Sequence, residues 1–202
     1  LIFGVDDVEA CKQFALDYGL TQASEHRFVA LDGTGIEIYS KDDSSLPAPL
    51  ETGSSIRKTI YGVADTATVD AIFDELSKDR EVKRLDDGSI EAADDMGFVL
   101  GFQVTMRKPL DMPAEKINAP GAPAQRPANE IGVSKDFTPE PRTLSHVVYF
   151  VPDYKKAEAF YAERLGFITT DRFSHVGPFM RPAGTTDHHT LFFLNTPPHM
   201  KG

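Results

Sequence analysis

Residues 144–153 read Leu-Ser-His-Val-Val-Tyr-Phe-Val-Pro-Asp, and this stretch decides the fold of the 202-residue chain. The part from 144 to 151 is rich in β-branched and aromatic side chains, which favour a strand. Apolar residues at helical spacing follow as far as Gly166, with Asp153 at the position of a helix N-cap. The stretch therefore predicts a strand over 144–151 and then an amphipathic helix that ends at Gly166.

The same order of patterns occurs twice more in the chain. Residues 1–19 and 58–76 each contain a strand-like run, a Val-x-Asp junction and an apolar stripe at helical spacing. Asp6 and Glu9 are spaced as a capping box for the first helix. Short strand candidates follow every helix: 27–31 and 35–39, then 81–85, 89–92 and 98–106, then 167–173, 179–181 and 189–194. The repeats predict an α+β fold built from paired βαβββ modules, of which three are present.

The modules divide the chain into three parts. Residues 1–106 are predicted to form an N-terminal domain of two modules, and 144–202 a third module that begins a C-terminal catalytic domain. Residues 107–143 contain seven of the fourteen prolines without sustained periodicity, so they are predicted to be an extended connector. Because modules pair, we expect a fourth module beyond Gly202 in the natural protein, and further residues before Leu1.

The composition narrows the classes of partner. The net charge is −10 with acids and bases intermixed, which disfavours nucleic acid and anionic membranes. No apolar run has the roughly 20 residues that a membrane-spanning helix needs. The single cysteine, Cys11, fits a reducing cytoplasm. We expect a cytoplasmic protein with a small-molecule partner, and the sequence is compatible with a homo-oligomer.

The chain resembles the vicinal oxygen chelate superfamily of glyoxalases, bleomycin-resistance proteins and dioxygenases. The resemblance rests on the repeated βαβββ units, on Leu-Gly-Phe at 165–167, and on His-His-Thr-Leu at 188–191. The His-His-Thr-Leu sequence and its spacing from His146 most resemble those of extradiol catechol dioxygenases such as the 2,3-dihydroxybiphenyl dioxygenases. The resemblance implies ring cleavage of a catechol-type aromatic diol by O₂ in aromatic hydrocarbon catabolism. It also implies non-haem iron(II) as cofactor, and manganese(II) suits the same ligands.

The resemblance implies a role for particular residues of the third module. His146 is the expected metal ligand, and His189 the expected catalytic acid–base group. A further histidine and a glutamate ligand are expected beyond Gly202. Strand alternation places Val148 and Phe150 on the face of His146, so Val148 is the expected substrate contact. His188 is expected to face the opposite way from His189.

The first two modules lack comparable ligands. When the copies are aligned on Val-x-Asp, Lys58 takes the place of His146. At the carboxylate position of the last hairpin the first module has Glu37, but the second has Gly101. A lysine and a glycine do not complete a metal site. The sequence therefore predicts a metal-free N-terminal domain.

Two alternatives stay open. One is another enzyme of the superfamily, such as a glyoxalase or an epimerase, and the other is a metal-free small-molecule-binding resistance protein. The His-His-Thr-Leu sequence argues against the first, and His146 argues against the second. In either case one histidine supplies one of the three protein ligands of a facial triad. We therefore expect no complete metal site and no dioxygenase activity in these 202 residues alone.

Overall fold

The computed structural model describes residues 1–50, 55–113, 116–132 and 135–197. It contains three βαβββ modules, which confirms the predicted α+β fold. Module 1 comprises β1 (Ile2–Val5), α1 (Val8–Asp17), β2 (Thr21–Gln22), β3 (Arg27–Val29) and β4 (Gly35–Ser40). Module 2 comprises β5 (Ser55–Val63), α2 (Thr66–Leu76), β6 (Val82–Arg84), β7 (Ile90–Ala93) and β8 (Val99–Val104). Module 3 comprises β9 (Val147–Val151), α3 (Tyr154–Leu165), β10 (Phe167–Phe173), β11 (Gly177–Pro182) and β12 (Leu191–Asn195).

The helix ends follow from local capping chemistry. Each helix begins after an aspartate whose carboxylate accepts N–H bonds from the first turn: Asp7, Asp65 and Asp153. The prediction that Asp6 caps α1 is therefore wrong by one residue, and Asp6 instead pairs with Lys41. Gly166 ends α3 with φ of 69°, a left-handed conformation that glycine adopts without steric cost.

The three modules form two sheets. Modules 1 and 2 share eight strands in the order β2-β3-β4-β1-β5-β8-β7-β6, because their first strands, β1 and β5, pair antiparallel. Module 3 has four strands in the order β10-β11-β12-β9, in which β9 and β12 run parallel. The first strand of module 3 is therefore an edge strand among the residues that the structure describes.

One hydrophobic core crosses the predicted boundary between the two domains. Buried residues of module 2, such as Leu100, belong to the same cluster as Tyr161 and Phe193 of module 3. The rings of Phe98 and Tyr149 stack across the boundary with centroids 4.4 Å apart. Module 3 is thus packed on module 2 rather than linked to it by the connector alone.

Polar contacts reinforce this boundary. Arg164 on α3 donates to the carboxylates of Glu75 and Asp79, at 2.6 and 2.8 Å. The Tyr161 hydroxyl donates to Asp94 at 3.2 Å. Burial raises the pKa of Asp94 to about 6, although backbone N–H groups donate to its carboxylate. The boundary therefore contains a buried titratable group.

The connector has no helix or strand in its described parts, 107–113, 116–132 and 135–143. Both of its ends are nevertheless attached to the turn between β3 and β4. The Lys108 N–H donates to the Asp32 carbonyl at 2.7 Å, and the Asp32 N–H donates to the Arg142 carbonyl at 3.1 Å. No helix in the described part of the chain is long and apolar enough to cross a membrane.

Candidate functional site

Module 3 brings the two predicted site histidines together. The prediction that both lie on strands is wrong, because His146 immediately precedes β9 and His189 lies two residues before β12. These strands run parallel with Val147 opposite Leu191, so their first residues lie side by side. The ring centroids of His146 and His189 are 4.8 Å apart.

Backbone hydrogen bonds fix the two histidine segments relative to each other. The Val147 N–H donates to the Thr190 carbonyl at 3.0 Å, and the Thr190 N–H donates to the Met180 carbonyl at 2.9 Å. Each histidine is therefore adjacent to a residue that is tied into the sheet. Such backbone attachment limits how far the two rings can separate.

A third imidazole joins this pair, contrary to the expectation for His188. Its Nδ1 lies 3.1 Å from Nδ1 of His189. Residues 187–190 are not part of a strand, so the alternation that predicted opposite directions does not apply to them. A hydrogen bond between two ring nitrogens needs one donor and one acceptor, so at least one ring lacks a proton at Nδ1.

The surroundings of His189 favour its neutral form. Burial lowers the pKa of His189, the nearby His146 and His188 lower it further, and Asp187 opposes the shift. A neutral imidazole at neutral pH can accept a proton from a bound hydroxyl group. The arrangement can therefore provide a general base.

An aromatic surface lies beside the histidines on the open face of module 3, the side of the sheet that α3 does not cover. Phe179 and Phe192 stack with ring centroids 4.0 Å apart, and Phe179 is 4.9 Å from the His189 ring. Val148 lies opposite Phe192 in the strand register. Val148 and Phe150 are each 41% exposed on this face. This surface suits a flat apolar ring.

A cavity of about 710 Å³ opens on the other side of His146. Its lining includes Thr34 and Glu37 from module 1, Arg107 from the connector, and Leu144. Sequence reasoning did not connect these residues with His146. Glu37 was noted only for its place in module 1, and the Asp-Gly-Thr turn at 32–34 resembles any other hairpin turn.

The described residues fit part of a metal site. The imidazole of His146 has a nitrogen that is a suitable ligand for iron or manganese. However, no group of three or more His, Cys, Asp or Glu side chains among the described residues could hold a metal ion. A facial triad needs two histidines and a carboxylate, so the described residues supply a share of such a site and not the whole of it.

The inner face of modules 1 and 2, meaning the side of their sheet that corresponds to the open face of module 3, is occupied by different side chains. The Lys58 ammonium forms an ion pair with Glu91, and these side chains are 15% and 18% exposed. Glu91 lies opposite Gly101 in the strand register. Glu37 accepts a hydrogen bond from the Tyr39 hydroxyl at 3.1 Å. The lysine in the position of His146 is thus neutralised within the protein, by a glutamate that the sequence had not singled out.

Comparison with known protein families identifies module 3. A model described as the glyoxalase/bleomycin resistance protein/dioxygenase superfamily matches residues 143–202. No curated protein sequence matches the chain.

Solved structures resemble nearly the whole chain at low sequence identity. The Mn(II)-bound glyoxalase from Novosphingobium aromaticivorans aligns with a TM-score of 0.65 and 18% identity, over 98% of this chain and 60% of its own. A catechol 2,3-dioxygenase aligns with a TM-score of 0.61 and 17% identity, over 98% of this chain and 70% of its own. The 2,2',3-trihydroxybiphenyl 1,2-dioxygenase from Sphingomonas wittichii aligns with a TM-score of 0.60 and 16% identity, over 100% of this chain and 68% of the dioxygenase chain.

These findings concern different parts of the chain. The family match covers module 3, and the structural likeness covers all three modules. The chain therefore has the paired βαβββ fold of the vicinal oxygen chelate proteins, and its residues 143–202 match the family model of the glyoxalase/bleomycin resistance protein/dioxygenase superfamily.

Proposed function

We propose that this chain is part of an extradiol dioxygenase that opens a catechol-type ring with O₂ at a non-haem iron(II). The main support is the convergence of His146 and His189 beside the aromatic surface of module 3, with ring centroids 4.8 Å apart. The substrate is a small aromatic diol, and the protein acts in the cytoplasm on a pathway of aromatic catabolism. Solved dioxygenases of similar fold support this choice.

Each histidine has a separate task in this proposal. His146 is a ligand of the iron. The direct reaction of catechol with O₂ is spin-forbidden, and bound iron would supply a path for electron transfer between them. His189 takes a proton from a catechol hydroxyl. Burial and its histidine neighbours lower its pKa and so keep the ring unprotonated and able to accept this proton. Val148, Phe179 and Phe192 hold the ring and keep water away from it.

The remaining ligands lie outside the described residues. The described part of the chain has no group of three ligating side chains, and the chain spans 60% of the Mn(II)-bound glyoxalase. We propose that a second histidine and a glutamate from another part of the complete protein finish the site. The 202 residues alone should then neither retain iron nor cleave catechol.

Replacing His146 with alanine in the full-length protein tests its role as a ligand. Iron content by elemental analysis should fall at least about tenfold while the circular dichroism spectrum is unchanged. His175→Ala is the control, since His175 lies in the exposed turn between β10 and β11. Unchanged iron content in the His146 variant would remove the proposal.

Replacing His189 with glutamine tests proton transfer. Iron should be retained, whereas kcat should fall about a hundredfold and its dependence on pH should flatten, because glutamine does not titrate. Turnover equal to that of the unaltered protein would show that His189 has no catalytic role.

A metal-dependent enzyme of glyoxalase type is the second candidate, because the Mn(II)-bound glyoxalase has the same fold over 98% of the chain. An oxygen electrode distinguishes the two reactions, since only ring cleavage consumes O₂. A metal-free resistance protein would differ from both. It would bind an aromatic ligand with the same Kd before and after treatment with a chelator.

A further inference from the structure

Two hairpin turns of the N-terminal part have nearly the same sequence and the same internal bonding. They are Asp32-Gly33-Thr34 between β3 and β4 and Asp87-Gly88-Ser89 between β6 and β7. The Asp32 carboxylate accepts from the Thr34 N–H at 3.0 Å and from its hydroxyl at 2.6 Å. The Asp87 carboxylate accepts from the corresponding Ser89 groups at 2.9 and 2.6 Å.

The two turns differ in their surroundings. Asp87 is exposed, whereas Asp32 is only 1% exposed because both ends of the connector cover it. The Arg107 guanidinium donates to the Asp32 carboxylate at 2.6 Å. Burial alone would raise the pKa of Asp32, but the hydrogen bonds from Thr34 and Arg107 hold it below its usual value. Asp32 is thus a buried, fully engaged carboxylate.

The Thr34 hydroxyl extends this bonding to module 3. While it donates to Asp32, it accepts the Leu144 N–H at 2.6 Å, a contact between residues 110 positions apart. Leu144 lies two residues before His146, and Thr34 and His146 line the same cavity. The segment that enters β9 is therefore held from module 1 immediately ahead of the proposed ligand.

We propose that the Asp32–Thr34 turn of module 1 is the positioning element of His146, with Thr34 holding the backbone at Leu144 and Asp32 orienting the Thr34 hydroxyl. The inference rests on the proposed function for its consequence in metal binding, but the mechanical link does not. It assigns the N-terminal part of the chain a task, namely to set the entry point of β9.

The other contacts across the boundary act elsewhere on module 3. Arg164 holds α3 against Glu75 and Asp79. The shared core lies under the helix-covered face of the sheet, as the burial of Val147 and Tyr149 on β9 indicates. Backbone hydrogen bonds from Leu31 and Asp32 to the carbonyls of Pro141 and Arg142 also attach this segment to module 1, and the Leu144 N–H donated to Thr34 lies nearer in sequence to His146 than they do. A defect at Thr34 should therefore appear at residues 144–146 and not throughout module 3.

Three substitutions in the full-length protein separate positioning from general stability. Thr34→Val keeps the shape of the side chain and removes the hydroxyl, and Thr34→Ser keeps the hydroxyl. Ser89→Ala removes the hydroxyl from the matched turn of module 2. Amide hydrogen exchange at Leu144 should become about fivefold faster in Thr34→Val, the effect of one lost hydrogen bond. Thr34→Ser and Ser89→Ala should leave that exchange rate unchanged.

Two further measurements connect the turn to the site. The imidazole NMR signals of His146 should shift in Thr34→Val and return in Thr34→Ser. In a titration with Mn(II), the Kd of Thr34→Val should rise about tenfold, as for residues that orient a ligand. Ser89→Ala should behave as the unaltered protein in both.

The outcomes distinguish the two proposals. In one outcome, Thr34→Val changes the amide exchange at Leu144 and the imidazole signals of His146, but neither the unaltered protein nor any variant binds Mn(II) or iron. The proposed function then fails and the positioning role stands. If Thr34→Val and Ser89→Ala give the same exchange rate at Leu144 and the same His146 signals, the positioning role is overturned. Failure of Thr34→Ser to restore them would overturn it as well.

Discussion

The inner faces of the N-terminal module pair and of module 3 share an arrangement of strands but differ in what occupies them. In the pair, β1 and β5 join the modules, and the Lys58–Glu91 ion pair lies on the inner face. In module 3 the corresponding strand, β9, lies at the edge of the sheet that the described residues form, and its inner face carries exposed Val148 and Phe150 beside two histidines. The first face is occupied by an internal ion pair, and the second carries exposed apolar side chains.

This difference indicates how one module can serve either support or chemistry. A lysine and a glutamate neutralise each other, so the face needs nothing from outside. An unprotonated imidazole ring instead has a nitrogen lone pair that can bind a ligand from outside. The residue five positions before the valine of Val-x-Asp, Lys58 in module 2 and His146 in module 3, separates the two cases.

The largest expected effect on the free energy of unfolding concerns Asp94, which lies at the boundary where module 3 packs on module 2. The pKa of Asp94 is about 6 in the folded chain and near 3.8 in the unfolded chain. Protonated Asp94 thus favours folding, so its contribution is full below pH 4 and is lost as pH rises through 6. The free energy of unfolding of Asp94→Asn, relative to the unaltered protein, should therefore rise by about 3 kcal/mol between pH 4 and 7.

Urea unfolding at several pH values measures this difference, and Asp65→Asn is the control. Hydrogen bonds from Thr68 lower the pKa of Asp65 at the start of α2, so its difference curve must slope in the opposite direction. A flat curve for Asp94→Asn would mean that the carboxyl is not buried at the boundary.

The ion pair of the N-terminal inner face should give the next largest effect. Lys58→Met leaves Glu91 partly buried without its cation and should lower the free energy of unfolding by about 2 kcal/mol. Adding Glu91→Leu should recover most of that loss, because no uncompensated charge remains. Lys12→Met is the control, since its partner Glu9 is largely exposed. A double variant no more stable than Lys58→Met would contradict this account.

Alternation along β9 predicts a smaller effect that separates the two faces of module 3. Val151 is fully buried, so Val151→Ala should lower the free energy of unfolding by about 1.5 kcal/mol. Val148 is 41% exposed, so the same change, Val148→Ala, in the 202-residue chain should lower it by roughly half as much. Equal losses from the two variants would show that the inner face is covered after all.

The smallest expected effect concerns the imidazoles themselves. His146 helps to lower the pKa of His189, so His146→Ala should move that pKa back towards its usual value. Proton NMR of the ring signals measures the shift. The pKa of His189 is lower in the folded protein than in the unfolded chain, where it is near 6.5. The contribution of His189 to the free energy of unfolding is therefore lost as the pH drops below about 6.5. No shift in His146→Ala would mean that the rings are farther apart.

The sequence by itself determined the local elements of this protein. Apolar spacing and β-branched runs mark the three modules, and an aspartate precedes each helix. These features depend on neighbours within one turn of helix or a few strand residues, so a linear pattern contains them. His146 and His189 could also be singled out, because a repeated unit and a short motif identify them.

Only the tertiary structure decided which distant residues meet. The parallel register of β9 and β12 brings His146 against His189. Residues 187–190, which lead into β12 without forming a strand, bring His188 next to His189. Asp32 and Asp87 lie in matching local sequences, yet only Asp32 is buried. Whether a turn is covered depends on where the connector crosses the fold. Such contacts arise from packing between segments about a hundred residues apart, which local propensity does not encode.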